Sequence, residues 1–173
     1  MSSLLVFVLA FMINLVSVAA SSWQDPFLKV KLSDFAGRTS LSDAKFDPAD
    51  VQGKWVLIEL WASWCEPCQR SFPFYEKLYQ ENKSRGFLVL GLALDDDKAE
   101  SLKFLSQRKV SFPIIFDEGN HFRKLWQVPS LPITIWINPQ GEVVEVKKGF
   151  RKSDQSRIQQ QLKGYLNPGR EKK

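Results

Sequence analysis

Residues that bind metals or form cross-links are scarce in this chain of 173 residues. It contains two cysteines and one histidine, whereas a structural zinc site takes four nitrogen or sulfur ligands. Two cysteines also exclude a scaffold held by several disulfides. The net charge of +5 is typical of a solvated surface, so no nucleic-acid partner is expected. A hydrophobic content of 44% is enough for one compact domain with a core.

Charge is absent from the first twenty residues. The unbroken apolar run over 4–13 is shorter than the roughly 18 residues of a spanning helix and fits the core of a signal peptide, about 7 to 15 residues. We therefore predict a signal peptide over 1–20, cleaved after Ala20, where small residues end the run. An uncleaved anchor or a misassigned start is the alternative, because no basic residue precedes the core; an uncleaved leader would then be the membrane contact. Export places both cysteines in an oxidising compartment, the periplasm or the extracytoplasmic face of the membrane.

The remaining chain reads as a linker over 21–26, a domain over 27–166 and a flexible basic tail over 167–173. Short apolar runs alternate with amphipathic stretches in the domain, which predicts an α/β fold with a central sheet flanked by helices. Alternating residues over 28–32, the Gly37-Arg38 turn and residues 39–42 predict an N-terminal β-hairpin extension. Buried strands are predicted over 55–62 and 87–94. The other predicted elements are strands over 112–116, 133–137 and 142–146, and helices over 65–82, 98–109 (Leu102 and Leu105 inward), 120–126 (capped by Asn120) and 153–166.

A Cys-x-x-Cys motif follows the first buried strand and opens a helix: Trp64-Cys65-Glu66-Pro67-Cys68. Two thiols three residues apart at a helix start can close a disulfide within one turn. The N–H groups and partial positive charge at this end stabilise a thiolate on Cys65, which is predicted to be the attacking nucleophile. Cys68, one turn deeper, is predicted to resolve the mixed disulfide. Pro67 keeps a helical φ at a position in the first turn where a backbone N–H would be unpaired in any case. A static disulfide or a metal-binding pair is the alternative.

The chain resembles the thioredoxin superfamily and, within it, the TlpA-like (ResA-type) exported thiol-disulfide oxidoreductases. The resemblance covers about residues 27–166 and implies a thioredoxin fold with a redox-active Cys65–Cys68 disulfide and no cofactor. It depends on three segments: Trp61-Ala62-Ser63-Trp64-Cys65-Glu66-Pro67-Cys68, Phe112-Pro113-Ile114 and Leu131-Pro132-Ile133-Thr134.

The resemblance implies that Pro132 is the cis-proline that lies across from the motif. A cis bond there exposes the backbone of Leu131, so that an extended client segment can pair with it beside Cys65. An ordinary trans proline is the alternative, with Pro129 competing for the role. The predicted substrate-binding residues are Trp64, Glu66, Pro67, Leu131 and Pro132.

Glu59 lies six residues before Cys65 in a strand with no other charge. The resemblance assigns this position to a buried acid that moves the proton to and from the resolving cysteine. Burial of an unpaired carboxylate raises its pKa toward the working pH, which suits general acid–base work. The alternative is a carboxylate that reaches the surface or pairs with Lys54. Several members of the group carry an acid three residues after the second cysteine, but here Ser71 occupies that position.

The predicted function is therefore reduction of disulfides in exported client proteins through a Cys65–Cys68 cycle. Glu66 lies between the two cysteines, and its negative charge opposes the formation of a thiolate there. This effect favours a reductant over an oxidant. The resemblance implies a membrane electron donor as a second partner, and it includes apocytochrome c among the clients of the group, in cytochrome c maturation.

Four other functions remain open at this point. A disulfide-donating oxidase would differ from a disulfide reductase only in the reduction potential of its cysteine pair. A peroxiredoxin-like peroxidase carries Pro-x-x-x-Thr-x-x-Cys, and here Ala62 occupies the threonine position. A Cu(I) or Zn carrier could use the two thiolates, although the single histidine, His121, lies far along the chain. A redox-silent interaction module is the last alternative.

Overall fold

A five-stranded sheet forms the centre of the protein in a computed structural model, which describes residues 22–38 and 45–167. The strands are β1 (Trp55–Trp61), β2 (Phe87–Ala93), β3 (Ile114–Phe116), β4 (Ile133–Ile137) and β5 (Val143–Lys148), in the order β3-β2-β1-β4-β5. β1, β2 and β3 run parallel, whereas β4 and β5 pair antiparallel. The helices are α1 (Glu66–Asn82), α2 (Lys98–Ser106), α3 (His121–Leu125) and α4 (Asp154–Leu166). The predicted mixed sheet flanked by helices is confirmed.

Both faces of the sheet are covered, which is why β1 and β2 are apolar almost throughout. Successive strand residues point to opposite faces. Leu57 therefore packs in a cluster with residues of α1, α2 and α4, while Ile58 packs against the N-terminal segment and α3. Glu59 has the parity of Leu57, so its side chain points toward the face that α1 covers.

The predicted N-terminal hairpin is wrong in its first arm. The chain forms two short 3₁₀ helices there, Phe27–Lys29 and Leu32–Phe35. Phe27 and Phe35 are fully buried, whereas Leu28 is exposed; the gain from burying two aromatic rings overrides the local alternation. The second predicted arm, residues 39–42, lies outside the described residues.

Most other elements lie within a few residues of their predicted bounds. Two details of the sequence prediction are wrong. Leu102 is exposed, and Phe104 takes its place in the core beside Leu105. Asn120 does not cap α3, because the carboxylate of Asp117 accepts the N–H groups of Phe122 and Arg123 at 2.8 and 2.9 Å.

The predicted leader over 1–20 lies outside the described residues, as does the tail beyond Asn167. Within the described ranges, no helix combines the length and the apolar character needed to cross a bilayer. The same ranges contain no cluster of three or more His, Cys, Asp or Glu side chains suited to a metal ion.

Candidate redox site

The two cysteines lie where β1 leads into α1. Cys65 is the N-cap of α1, and its Sγ accepts the backbone N–H of Cys68 at 3.3 Å. A disulfide joins the two side chains, with 5.3 Å between the Cα atoms. Cys68 is completely buried, whereas Cys65 keeps 4% of its surface exposed. The predicted roles, in which Cys65 meets the client and Cys68 resolves, stay predictions.

The residues around Cys65 present both an apolar and a charged surface. Trp64 is 63% exposed, a large apolar side chain directly beside the outer cysteine. Glu66 also faces solvent, and it forms an ion pair with Arg70 one turn along α1. Both side chains of this pair are exposed, so the pair contributes little energy, and the predicted opposition of Glu66 to a thiolate stays a prediction. Pro67 is half-buried in the first turn.

Asp95, which the sequence analysis did not single out, fixes the loop that carries the motif. It is the second residue after β2, and its buried carboxylate accepts the N–H of Ser63 at 3.0 Å and the Ser63 hydroxyl at 2.8 Å. It also accepts the hydroxyl of Ser101 on α2. On the other side, the Gln69 side chain donates to the Ser63 carbonyl at 2.9 Å. An acid at the carboxyl end of a strand that parallels β1 was the available signal, because such ends meet at one edge of the sheet.

The Leu131–Pro132 bond is cis, as the resemblance predicts. Pro132 is buried, and its carbonyl accepts the N–H of Gly149 at 2.8 Å. Leu131 is half-buried and packs against the core cluster that includes both cysteines. The pairing of a client with the Leu131 backbone stays a prediction.

Glu59 is fully buried in the middle of β1. Its backbone partners are Gly91 on β2 and Thr134 on β4, neither of which is ionisable. Burial raises the pKa of Glu59 to about 8, and a hydrogen bond from Ser71 partly opposes that rise. Neither alternative to the buried acid is observed, since Lys54 Nζ instead donates to the carbonyl of Asp50 at 2.6 Å.

Ser71 connects the buried acid to the resolving cysteine. Its Oγ contacts Glu59 Oε1 and lies 2.8 Å from the carbonyl oxygen of Cys68. Sequence reasoning treated this position as a missing acid, so it did not predict the contact. The structure thus brings Cys65, Cys68 and Glu59 into one connected arrangement at the start of α1.

Comparisons with known proteins agree with this fold. The redoxin family model matches residues 25–162. The chain is 31% identical over 119 residues to the thiol-disulfide oxidoreductase ResA of Oceanobacillus iheyensis, which covers 69% of this chain and 59% of that protein. It is 31% identical over 129 residues to ResA of Bacillus subtilis, which covers 66% of this chain and 72% of that protein. The chain therefore spans less than two thirds of the Oceanobacillus relative.

Solved structures share the fold. A Chlorobium tepidum protein described as a thiol:disulfide interchange protein, DsbE, superposes with a TM-score of 0.65 at 33% identity, over 68% of this chain and 84% of that one. StoA of Bacillus subtilis superposes with a TM-score of 0.59 over 71% of this chain and 93% of that one; at 20% identity it shows the fold alone. These findings confirm the predicted resemblance: the chain belongs to the redoxin family and groups there with the ResA-type thiol-disulfide oxidoreductases.

Proposed function

We propose that the protein is an exported thiol-disulfide oxidoreductase that reduces disulfides of client proteins. The Cys65 thiolate attacks one sulfur of a client disulfide and forms a mixed disulfide. The client's other sulfur leaves as a thiolate and takes up a proton from water. Cys68 then gives its proton to the ionised form of Glu59 and attacks the Cys65 sulfur, which displaces the client's first sulfur. That sulfur takes up a proton from water and Glu59 releases its proton to water, so the client leaves with two thiols and the protein keeps the Cys65–Cys68 disulfide.

The observation that carries this proposal is the arrangement at the start of α1. An outer cysteine at a helix N-cap is bonded to a fully buried one, and a buried carboxyl group with a pKa of about 8 is linked to the buried cysteine through Ser71. A static disulfide needs no such acid, whereas a resolving thiol must lose a proton before it attacks. We assign the binding of an extended client segment to the exposed Trp64 and to the backbone of Leu131 beside Pro132.

The predicted leader supports an extracytoplasmic location, where the cycle requires an external reductant. We propose that a membrane protein carrying electrons from the cytoplasm reduces Cys65–Cys68 after each turnover, since an oxidising compartment has no reducing pool of its own. Apocytochrome c is a proposed client. Its thiols must be reduced before haem can attach.

Trapping in living cells tests the proposal. In Cys68→Ser the second step is blocked, so clients should accumulate as mixed disulfides on Cys65 and be released by dithiothreitol. The matched control is the double variant Cys65→Ser, Cys68→Ser, which has no nucleophile and should trap nothing. Equal recovery from both variants would overturn the proposal.

The reduction potential decides the direction of the reaction. The purified protein is equilibrated with defined ratios of reduced to oxidised dithiothreitol and its free thiols are counted. A value near that of thioredoxin, about −270 mV, is expected for a reductant. A value near that of DsbA, about −120 mV, would instead identify a disulfide donor.

A further inference from the structure

A single side chain, that of Ser71, joins the Glu59 carboxyl group to the backbone of Cys68. Ser71 Oγ lies 2.8 Å from the Cys68 carbonyl oxygen and within hydrogen-bonding distance of Glu59 Oε1. Ser71, Glu59 and Cys68 are all completely buried. Ser71 is the third residue after Cys68 on α1, so its side chain reaches back over the preceding turn of the helix. The contact therefore depends on the packing of α1 against β1.

The Ser71 hydroxyl lies within reach of two acceptors, Glu59 Oε1 and the Cys68 carbonyl oxygen, but it carries one proton. A serine hydroxyl donates one hydrogen bond and can accept two. When Glu59 is ionised, both neighbours of Ser71 are acceptors and only one of them can receive the proton. When Glu59 is protonated, it can donate to Ser71 Oγ while Ser71 donates to the Cys68 carbonyl. The direction of the Ser71 hydroxyl is thus coupled to the protonation state of Glu59.

Ser71 contacts one of the two oxygens of the Glu59 carboxyl group, Oε1. Among the described residues, Glu59 Oε2 has no hydrogen-bond partner. The strand neighbours Gly91 and Thr134 are not ionisable. Tyr75 on α1 is a titratable group that interacts with Glu59; burial and the negative charge of Glu59 raise the pKa of Tyr75. The charges that act on Tyr75 from β5 and α4 are those of Glu145, Asp154 and Arg157.

We propose that Ser71 is a positioning residue of the redox cycle, whose hydroxyl holds the Glu59 carboxyl group beneath Cys68 and favours its proton-accepting form. The inference rests on the proposed role of Glu59. In the resolving step the Cys68 S–H bond breaks and its proton passes to Glu59. The Cys65–Cys68 bond forms as the Cys65–client bond breaks. Ser71 gains and loses no proton overall; its hydroxyl turns from Glu59 to the Cys68 carbonyl.

Ellman's reagent separates this step from the first attack. Cys65 of the reduced protein attacks the reagent and releases one thionitrobenzoate, and Cys68 then displaces the second from the mixed disulfide. Stopped-flow absorbance records the two phases over a range of pH. In Ser71→Ala the Glu59 carboxylate loses a charge-assisted hydrogen bond, so the second phase should slow about tenfold at neutral pH and its midpoint should move to higher pH. The first phase should not change.

Two comparisons isolate the hydroxyl from packing. Ser71→Thr and Ser71→Val have nearly the same shape, and we expect the threonine variant to keep the fast second phase and the valine variant to lose it. Ser106 on α2 is exposed, and its hydroxyl also donates to the carbonyl three residues earlier, that of Lys103, at 2.8 Å. Ser106→Ala should leave both phases unchanged.

A double-mutant cycle decides whether Ser71 acts through Glu59. In a Glu59→Gln background, Ser71→Ala should cause no further slowing. The same slowing in both backgrounds, or no slowing by Ser71→Ala alone, would overturn the inference while the role of Glu59 stands. A Glu59→Gln variant with an unchanged second phase and pH profile would instead overturn the role of Glu59 in the proposed function.

Discussion

The buried carboxyl group of Glu59 should make the oxidised protein less stable as the pH rises. The native protein keeps the Glu59 proton up to a pH of about 8, whereas an unperturbed glutamate loses it near 4.5. Between those values the native state binds more protons than the unfolded state, so the free energy of unfolding falls with rising pH. The stabilisation is fully present below pH 4.5 and is lost by about pH 8. At 1.36 kcal/mol per pH unit, the total contribution is about 5 kcal/mol.

Urea unfolding of the oxidised protein and of Glu59→Gln, followed by tryptophan fluorescence across this pH range, measures the effect. Glutamine cannot ionise, so the unfolding free energy of the variant minus that of the wild type should increase with pH by about 5 kcal/mol. Other groups titrate in both proteins and cancel in the difference. A difference that stays constant across this pH range would refute the reasoning.

Three further substitutions, one of them with a control variant, test contacts that position the site and its framework. Asp95→Ala removes the acceptor for the N–H and hydroxyl of Ser63. The substitution should lower the free energy of unfolding in urea by about 2 kcal/mol and slow the first phase with Ellman's reagent. An unchanged first phase would contradict the anchoring role of Asp95. Asp117→Ala removes the cap of α3 and should lower the unfolding free energy by about 1 kcal/mol, whereas Asn120→Ala should leave that cap intact. In Gly91→Ala the new Cβ would clash with Ile114 Cδ1, so a loss of about 1 to 3 kcal/mol is expected and a neutral effect would show that Ile114 moves aside.

Local patterns predicted the elements whose structure depends on neighbouring residues in the chain. The apolar run of β1 followed by the Cys-x-x-Cys motif predicted a strand, then a helix that starts at the motif, and the structure has Cys65 as the N-cap of α1. The chain resemblance predicted the cis bond before Pro132, which the structure contains. Glu59 could be singled out because a lone charge in a strand buried on both faces is costly unless it has a use. The roles of these residues in the reaction stay predictions.

The contacts that complete the site could not be predicted from the sequence, because they join side chains from elements that meet only in the folded protein. Ser71 reaches Glu59 across 12 positions, and Asp95 reaches Ser63 across 32. The hairpin predicted at the N-terminus failed for the same reason: burial of Phe27 and Phe35 against the sheet outweighs the alternation of Leu28 and its neighbours. The sequence alone determined the redox motif, since spacing along one helix turn brings two thiols together. The tertiary structure decided what surrounds that motif, since hydrogen bonds and burial depend on which elements pack against one another.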